Sequence, residues 1–98
     1  GTGSSRLVAV AGPYAGQAFE IPPFGGSIGR DAGREIALTA DATTSRRHAS
    51  VASENGGLVL RDEGSSNGTF VNGQRVQEHL LQPGDEVRIG ASTFRFGA

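Results

Sequence analysis

The sequence contains no cysteine and no lysine in its 98 residues. Without cysteine, the chain has no disulfide framework, no zinc-thiolate site and no cysteine nucleophile. No apolar run approaches the roughly 20 residues that span a bilayer, and the first residues lack the charged and apolar parts of a signal peptide. The sequence therefore predicts a small globular domain that folds around its own apolar core.

The net charge is also small, because the chain has nine basic and ten acidic residues and a formal charge of −1. This balance gives no overall field that would attract nucleic acid or an anionic membrane. All basic residues are arginine, which could reflect genome composition, but composition does not explain why Arg30, Arg34, Arg46 and Arg47 lie within 18 positions. The planar donor fork of arginine matches phosphate bidentately. This cluster indicates a local anion site.

Sixteen glycines and four prolines divide the chain into short segments. No long window repeats apolar residues with the period of a helix, whereas short alternating runs end at turn signals every 8 to 12 residues, roughly the spacing of all-β folds. The predicted fold is all-β, an antiparallel β-sandwich of about ten to eleven short strands. Strands are predicted over 6–11, 17–21, 26–29, 36–38, 49–53, 58–62, 69–71, 74–76, 86–89 and 92–96.

Two hairpins are predicted from local turn chemistry. Asn72-Gly73 separates Thr69–Val71 from Gln74–Val76, and this dipeptide favours a type I′ turn, in which both residues need a positive φ. The runs at 6–11 and 17–21 flank Gly12-Pro13 and form the other predicted hairpin. We expect a single domain over residues 6–98, preceded by a linker or cloning remnant over residues 1–5, since a chain of this size buries roughly 60–65% of its unfolded surface.

The loops between these strands carry the residues suited to chemistry. Ser45-Arg46-Arg47-His48 places a hydroxyl, two cations and an imidazole just before a strand, and Gly29-Arg30 follows another strand. Ser65-Ser66-Asn67-Gly68-Thr69 lies between two more strands. In this order and spacing, together with Asn72-Gly73, the set resembles the forkhead-associated (FHA) domain over roughly residues 6–97, a β-sandwich module that binds phosphothreonine peptides.

The resemblance implies a role for each matching residue. Arg30 corresponds to the arginine that clamps the phosphate, and Ser45 to the hydroxyl that donates to a second phosphate oxygen. Arg46 and Ser66 stand where the family has further phosphate contacts, and Asn67 stands where an amide holds the peptide backbone. A phosphate carries about −1.5 to −2 charges and three acceptor oxygens, so this set of donors suits it.

Other matching positions are expected to support the site rather than touch the ligand: Gly29, His48, Gly68 and Thr69. The ring of His48 is expected to bond the backbone of adjoining loops and so hold Ser45 in place.

Two positions depart from the family's pattern. Thr44 replaces the usual aliphatic residue. Thr43 stands where some members have a basic residue that reads the third position after the phosphothreonine, so an acidic preference there has no obvious cation.

The expected function is phosphothreonine-dependent protein-protein interaction in Ser/Thr kinase signalling. The expected partner is a phosphothreonine-containing protein or peptide, on another chain or on the same protein, and neither nucleic acid nor a membrane is expected to bind. No cofactor and no metal are expected, and a cytoplasmic location is predicted. The alternative is an adaptor of the same fold that docks its partner without a phosphate.

An enzyme is a poorer match to this sequence. Ser45 and His48 with Asp41 or Asp62 would mimic a hydrolytic triad, but the chain has no G-x-S-x-G elbow, and residues three apart at a strand entry rarely reach the needed geometry. His48 and His79 lack zinc-ligand spacing. The aromatic residues do not interleave with the arginine cluster as they would in a nucleic-acid binder. The sequence therefore predicts a binding module.

Overall fold

The structure, a computed structural model, describes residues 5–97 and contains eleven strands. Among these residues there is no helix, and hence none with the length and apolar character needed to cross a membrane. The predicted linker over residues 1–5 lies, except for Ser5, outside the described residues. The strands are β1 Arg6–Ala11, β2 Ala18–Glu20, β3 Gly25–Gly29, β4 Ile36–Ala37, β5 Ala49–Glu54, β6 Gly57–Asp62, β7 Thr69–Val71, β8 Gln74–Val76, β9 Glu78–Leu80, β10 Glu86–Ile89 and β11 Ser92–Gly97.

The strands form two sheets that enclose one core. One sheet has six strands in the order β2-β1-β11-β10-β7-β8, and the other has five in the order β4-β3-β5-β6-β9. Side chains alternate along the strands, so that Leu7 and Ala9 are buried on β1 while Phe94 and Phe96 are buried on β11. Ile28, Val51 and Leu60 meet them from the other sheet. This alternation is what a two-layer sandwich requires, and the predicted fold class is confirmed.

Both predicted hairpins are present. β7 and β8 pair around Asn72-Gly73, whose φ angles are 51° and 85°, as a type I′ turn requires. β1 pairs with β2 in the antiparallel sense. Asn55-Gly56 makes a similar turn between β5 and β6, with φ angles of 51° and 80°. Local turn chemistry therefore fixes the register of these strands.

One strand pair departs from the antiparallel prediction. β4 runs parallel to β3, with Ile28 opposite Ile36 and Gly29 opposite Ala37. Parallel strands usually need a long crossover, but here only the short loop 30–35 joins them. The loop reverses the chain twice, and β4 adds just two residues to the sheet edge. This loop begins with Arg30 and so belongs to the surface described next.

Candidate functional site

Backbone packing brings the loop after β3 against the loop before β5. Gly29 is the last residue of β3, and a Cβ there would collide with the carbonyl oxygen of Arg46. The Arg30 amide donates to the Ser45 carbonyl at 3.0 Å. Close approach of two backbones is a common reason for glycine in a strand. Gly29 therefore sets the distance between Arg30 and the segment from Ser45 to Arg46.

The Arg30 side chain is exposed but oriented. Its Nε donates to the Thr44 carbonyl oxygen at 3.1 Å, and this is its one side-chain hydrogen bond within the described part of the chain. The two terminal guanidinium nitrogens are the edge that can grip an oxyanion bidentately. Arg46 is also exposed, beside Ser45. The surface around Ser45 thus carries two arginines that solvent can reach.

The loop between β6 and β7 joins the same surface through two contacts. The Ser66 amide donates to Ser45 Oγ at 3.0 Å, and Asn67 Nδ2 donates to the Thr43 carbonyl at 2.7 Å. Because Ser45 Oγ accepts this bond, its own hydrogen remains available to donate. Ser66 and Asn67 are exposed. The structure therefore brings all five predicted ligand-binding positions, Arg30, Ser45, Arg46, Ser66 and Asn67, to one end of the sandwich.

His48 lies beneath this surface and is fully buried, with 0% exposure. Its Nδ1 accepts a hydrogen bond from the Ser45 amide at 3.1 Å, and its Nε2 lies 2.8 Å from the Gly68 carbonyl. The neutral tautomer with hydrogen on Nε2 satisfies both partners. One imidazole thus connects the loop before β5 to the loop before β7, and it reaches the backbone of Ser45 rather than its hydroxyl.

We predict that His48→Ala lowers the free energy of unfolding by about 1–3 kcal/mol, because it leaves a half-buried amide and a buried carbonyl without partners. Thermal unfolding followed by circular dichroism measures the change. The matched control is His79→Ala, since His79 is partly exposed and its ring bonds only Asp85 among the described residues. An unchanged melting curve together with lost phosphopeptide binding would instead make His48 a ligand residue.

Asp62 organises the loop that carries Ser66 and Asn67, and sequence reasoning missed this role. Its Oδ1 accepts from the amides of Gly64 and Ser65, and its Oδ2 accepts from the hydroxyls of Ser65 and Thr69. Burial raises the pKa of this carboxyl, but the hydrogen bonds from Ser65 and Thr69 outweigh it and hold the pKa below its usual value. An Asp at a strand end, with Gly two residues and Ser three residues further on, is the local signal for such a turn.

Ser65 and Thr69 complete this support. Ser65 is buried, and its Oγ accepts from the Gly68 amide at 3.0 Å while donating to Asp62. Thr69, a predicted supporting residue, is fully buried and donates to the same carboxylate. Gly68, another predicted supporting residue, has a φ of 86°, in the region that favours glycine. The neighbouring serines thus differ, since Ser65 faces inward and Ser66 faces solvent.

Asp41 plays the corresponding part in the loop before β5. It is only 2% exposed, and it accepts from the Thr43 amide and hydroxyl, the Ala91 amide and the Ser92 hydroxyl. Burial raises the pKa of the Asp41 carboxyl, but the hydrogen bonds, above all those from Thr43 and Ser92, outweigh burial and hold this pKa below its usual value. The bonds to Ala91 and Ser92 cross 50 and 51 residues of sequence, and no local pattern predicts them.

Thr44 occupies a position where the family usually has an aliphatic residue, and it behaves as one. Its side chain is buried, with 1% exposure, and its Oγ1 has no hydrogen-bond partner among residues 5–97. Its carbonyl oxygen accepts from Arg30 Nε. The departure from the family pattern therefore leaves the backbone that orients Arg30 in place.

The chain is similar in sequence to a known domain family and to bacterial regulatory proteins. A family model described as the FHA domain matches residues 26–90. The glycogen accumulation regulator GarA of Mycolicibacterium smegmatis is 44% identical over 89 residues, which is 91% of this chain and 56% of that protein. The oxoglutarate dehydrogenase inhibitor of Corynebacterium efficiens is 41% identical over 88 residues, 90% of this chain and 61% of that protein. The chain thus spans a little over half the length of these relatives.

The fold is similar to solved structures over almost its whole length. One of them, studied for phosphothreonine-dependent FHA domain interactions, superimposes with a TM-score of 0.87 at 31% identity, covering 98% of this chain and 97% of that one. The match extends beyond residues 26–90 to include the β1–β2 hairpin and β11. Sequence and fold comparisons therefore agree on one family.

Proposed function

Since the chain belongs to the forkhead-associated family, whose domains bind phosphothreonine peptides, we propose that it binds them through Arg30, Ser45, Arg46, Ser66 and Asn67. The observation that carries this assignment is the arrangement around Ser45. Arg30 Nε is fixed on the Thr44 carbonyl, and the Ser66 amide is fixed on Ser45 Oγ. The guanidinium edge and the hydroxyl hydrogen are both left to donate to a ligand.

A phosphate matches these donors in charge and in number. It carries about −1.5 to −2 charges at neutral pH and has three strongly accepting oxygens. Arg30 supplies a bidentate contact to it, the Ser45 hydroxyl supplies a single one, and Arg46 adds a second positive charge. Because Arg30 and Ser45 are oriented by backbone bonds before the ligand arrives, little side-chain entropy remains to be lost on binding.

Ser66 and Asn67 complete the surface from the opposite loop. The Ser66 hydroxyl is exposed beside Ser45 and adds a donor to the phosphate. Asn67 Nδ2 is engaged with the Thr43 carbonyl, so its Oδ1 is the atom free to accept from a peptide amide. The phosphate is thus held mainly by one loop pair and the peptide backbone by Asn67.

Binding rather than catalysis is proposed as the activity. In a hydrolytic triad the imidazole takes the proton of the serine hydroxyl. Here His48 Nδ1 accepts from the Ser45 amide, and its Nε2 faces the Gly68 carbonyl. Both ring nitrogens are occupied, so neither activates Ser45 Oγ. The regulatory names of the relatives support the same proposal.

In the cell we propose a cytoplasmic signalling role for the protein. Its partner would be a protein phosphorylated on threonine by a Ser/Thr kinase, on another chain or on a segment of the same protein. The relatives named as a glycogen accumulation regulator and an oxoglutarate dehydrogenase inhibitor are consistent with control of metabolism.

The direct test is to titrate the domain with a threonine peptide in its phosphorylated and unphosphorylated forms, using a degenerate phosphothreonine library to choose the sequence. Binding of the phosphorylated form alone is expected. Equal binding of both forms would favour the adaptor that docks its partner without a phosphate, since Arg30 would then make no contact that depends on the phosphate.

We predict that phosphothreonine binds better than phosphoserine and that Asp or Glu does not replace it. A threonine methyl buried between the two loops is worth roughly 0.8 kcal/mol, and the stiffer β-branched side chain adds a little, giving a preference of several-fold to some tens of fold. A carboxylate has one charge and two planar oxygens, too few for this set of donors. Fluorescence anisotropy with four peptides that differ at this residue measures the series. Equal affinity for phosphothreonine and phosphoserine would mean that no methyl contact exists.

A further inference from the structure

A polar cleft lies beside the loop that begins with Arg30, on the solvent-facing side of β3 and β5. It has a volume of about 160 Å³. Its floor includes Ser27 and Ser50, which are opposite each other in the register of the two strands. The residues that line it are Ser27, Arg34, Arg47, Ala49, Ser50 and Glu63. None of them belongs to the proposed phosphate-binding set.

Arg34 lacks the partners that a largely buried guanidinium needs. Its side chain is only 21% exposed, and its Nε is buried with no hydrogen-bond partner among the described residues. Its ion pair with Asp31 is long, at 3.7 Å, and Asp31 is exposed. A buried donor that is left unsatisfied costs free energy. Because Nε itself is closed to solvent, an anion in the cleft would contact the exposed part of this guanidinium side chain, whose charge is countered only by the long pair with Asp31 and by nearby Glu35.

The acidic residues nearby do not supply this acceptor. Glu63 accepts a hydrogen bond from Ser50 Oγ at 2.7 Å, and Glu35 accepts from both the amide and the hydroxyl of Ser27, at 2.7 and 2.8 Å. Neither carboxylate forms an ion pair with Arg34 or with Arg47 within the part of the chain that the structure describes. Arg34 is nevertheless near Glu35, because its charge, after the hydrogen bonds from Ser27, helps to lower the pKa of the Glu35 carboxyl. The cleft is therefore lined by two arginines and a single carboxylate, which is already bonded to a serine.

The position of the cleft links it to the proposed peptide site. Arg34 is in the loop that starts at Arg30, and Arg47 follows Arg46 directly. An extended peptide advances roughly 3.3 Å per residue, so a side chain a few residues from the phosphothreonine reaches neighbouring loop positions. Because a second contact on a peptide that is already bound is intramolecular, even a weak contact there increases the affinity of the peptide.

We propose that the cleft between Arg34 and Arg47 is a second anion subsite, which takes the carboxylate or phosphate of an acidic residue flanking the phosphothreonine on the same peptide. This inference rests on the proposed function. Under this proposal Arg34 and Arg47, which lie outside the phosphate-binding set, select peptides that have an acidic residue near the phosphothreonine. Thr43, which stands where some family members have a basic residue, takes no part in this selection.

The test uses one phosphothreonine peptide with neutral flanks, into which a single acidic residue is introduced one position at a time on both sides. Anisotropy is measured for wild type and for the variant Arg34→Gln/Arg47→Gln. We expect one or two neighbouring positions at which the acid improves wild-type affinity roughly two- to fivefold, the range for a partly screened charge pair. The double variant should lose this gain and bind the neutral peptide as wild type does.

The comparison of glutamate with phosphoserine at the favoured position distinguishes the two kinds of acidic group. Arg6→Gln/Arg95→Gln is the matched control, because it removes the same two positive charges from exposed residues on the other sheet, and it should retain the gain. An equal gain at every position, or a gain that survives in the double variant, would overturn the subsite and leave the proposed function intact. Failure of wild type to bind any phosphorylated peptide would overturn both proposals.

Discussion

Arg30→Ala is expected to abolish measurable binding of phosphothreonine peptides while the domain stays folded. The loss should be about 2–5 kcal/mol, the range for removing one partner of a desolvated, hydrogen-bonded charge pair. The fold should tolerate the change, because the Arg30 side chain is exposed and makes a single hydrogen bond, to the Thr44 carbonyl, among the described residues. Isothermal calorimetry and a thermal melt on the same variant separate the two effects.

Two controls sharpen this result. Arg30→Lys keeps the charge but not the bidentate fork, so it should recover only part of the affinity. Arg95→Ala removes an exposed arginine from the six-stranded sheet, where it pairs with Glu86 and lies on the other sheet from β3 and Arg30. This variant should bind normally. Affinity of Arg30→Ala within about threefold of wild type, less than 1 kcal/mol, would show that the phosphate is held elsewhere.

The parts of the fold that the sequence predicts well are those fixed by local chemistry. Asn72-Gly73 defines β7 and β8 residue by residue, because its positive φ angles are available cheaply to only a few residue types. β4 could not be predicted to pair in parallel, since a two-residue strand at a sheet edge has no periodicity to detect. Its pairing depends on how loop 30–35 folds against β3.

In the candidate site, too, the residues fixed by local sequence could be predicted and those fixed by tertiary structure could not. The order Gly29-Arg30, Ser45 and Asn67 is visible in the sequence because each residue type is tied to a turn or a strand end. The role of Asp41 was invisible, since an aspartate in a loop is usually solvated and two of its partners, Ala91 and Ser92, are set by tertiary structure. The role of Asp62 was missed although its partners lie within seven residues of it. Asp41 reaches Ser92 across 51 residues. The predicted ligand-binding residues therefore follow from the motif, whereas the support that Asp41 gives to the loop before β5 emerges only with the fold.

Asp62→Ala is expected to destabilise the domain more than any change in the proposed phosphate-binding set. The substitution removes the acceptor for two amides and two hydroxyls, and hydrogen bonds to a charged group are worth about 1.5–3 kcal/mol each before non-additivity. A total loss of about 2–4 kcal/mol follows, because Asp62 is only partly buried and water replaces some partners. For a domain of this size, each kcal/mol lowers Tm by roughly 4–8 °C.

The acid range provides a second, independent readout of the same change. Hydrogen bonds hold the pKa of Asp62 below its usual value in the folded protein despite its burial. A lowered pKa contributes stability that is fully present above the unfolded pKa, about 3.9, and is lost as pH falls through the folded value. The difference in unfolding free energy between wild type and Asp62→Ala should therefore be constant at neutral pH and shrink below about pH 4. Urea denaturation of both proteins at a series of pH values measures it.

Asp31→Asn is the matched control, because Asp31 is an exposed carboxyl near the site whose ion pair with Arg34 is long. It should change stability little at any pH, as exposed pairs do. The Asp62 variant should also bind phosphopeptide more weakly below its melting range, since Ser66 and Asn67 lose the turn that presents them. If binding is weakened while the unfolding free energy is unchanged at neutral pH, Asp62 acts on the ligand directly and not through the loop it holds.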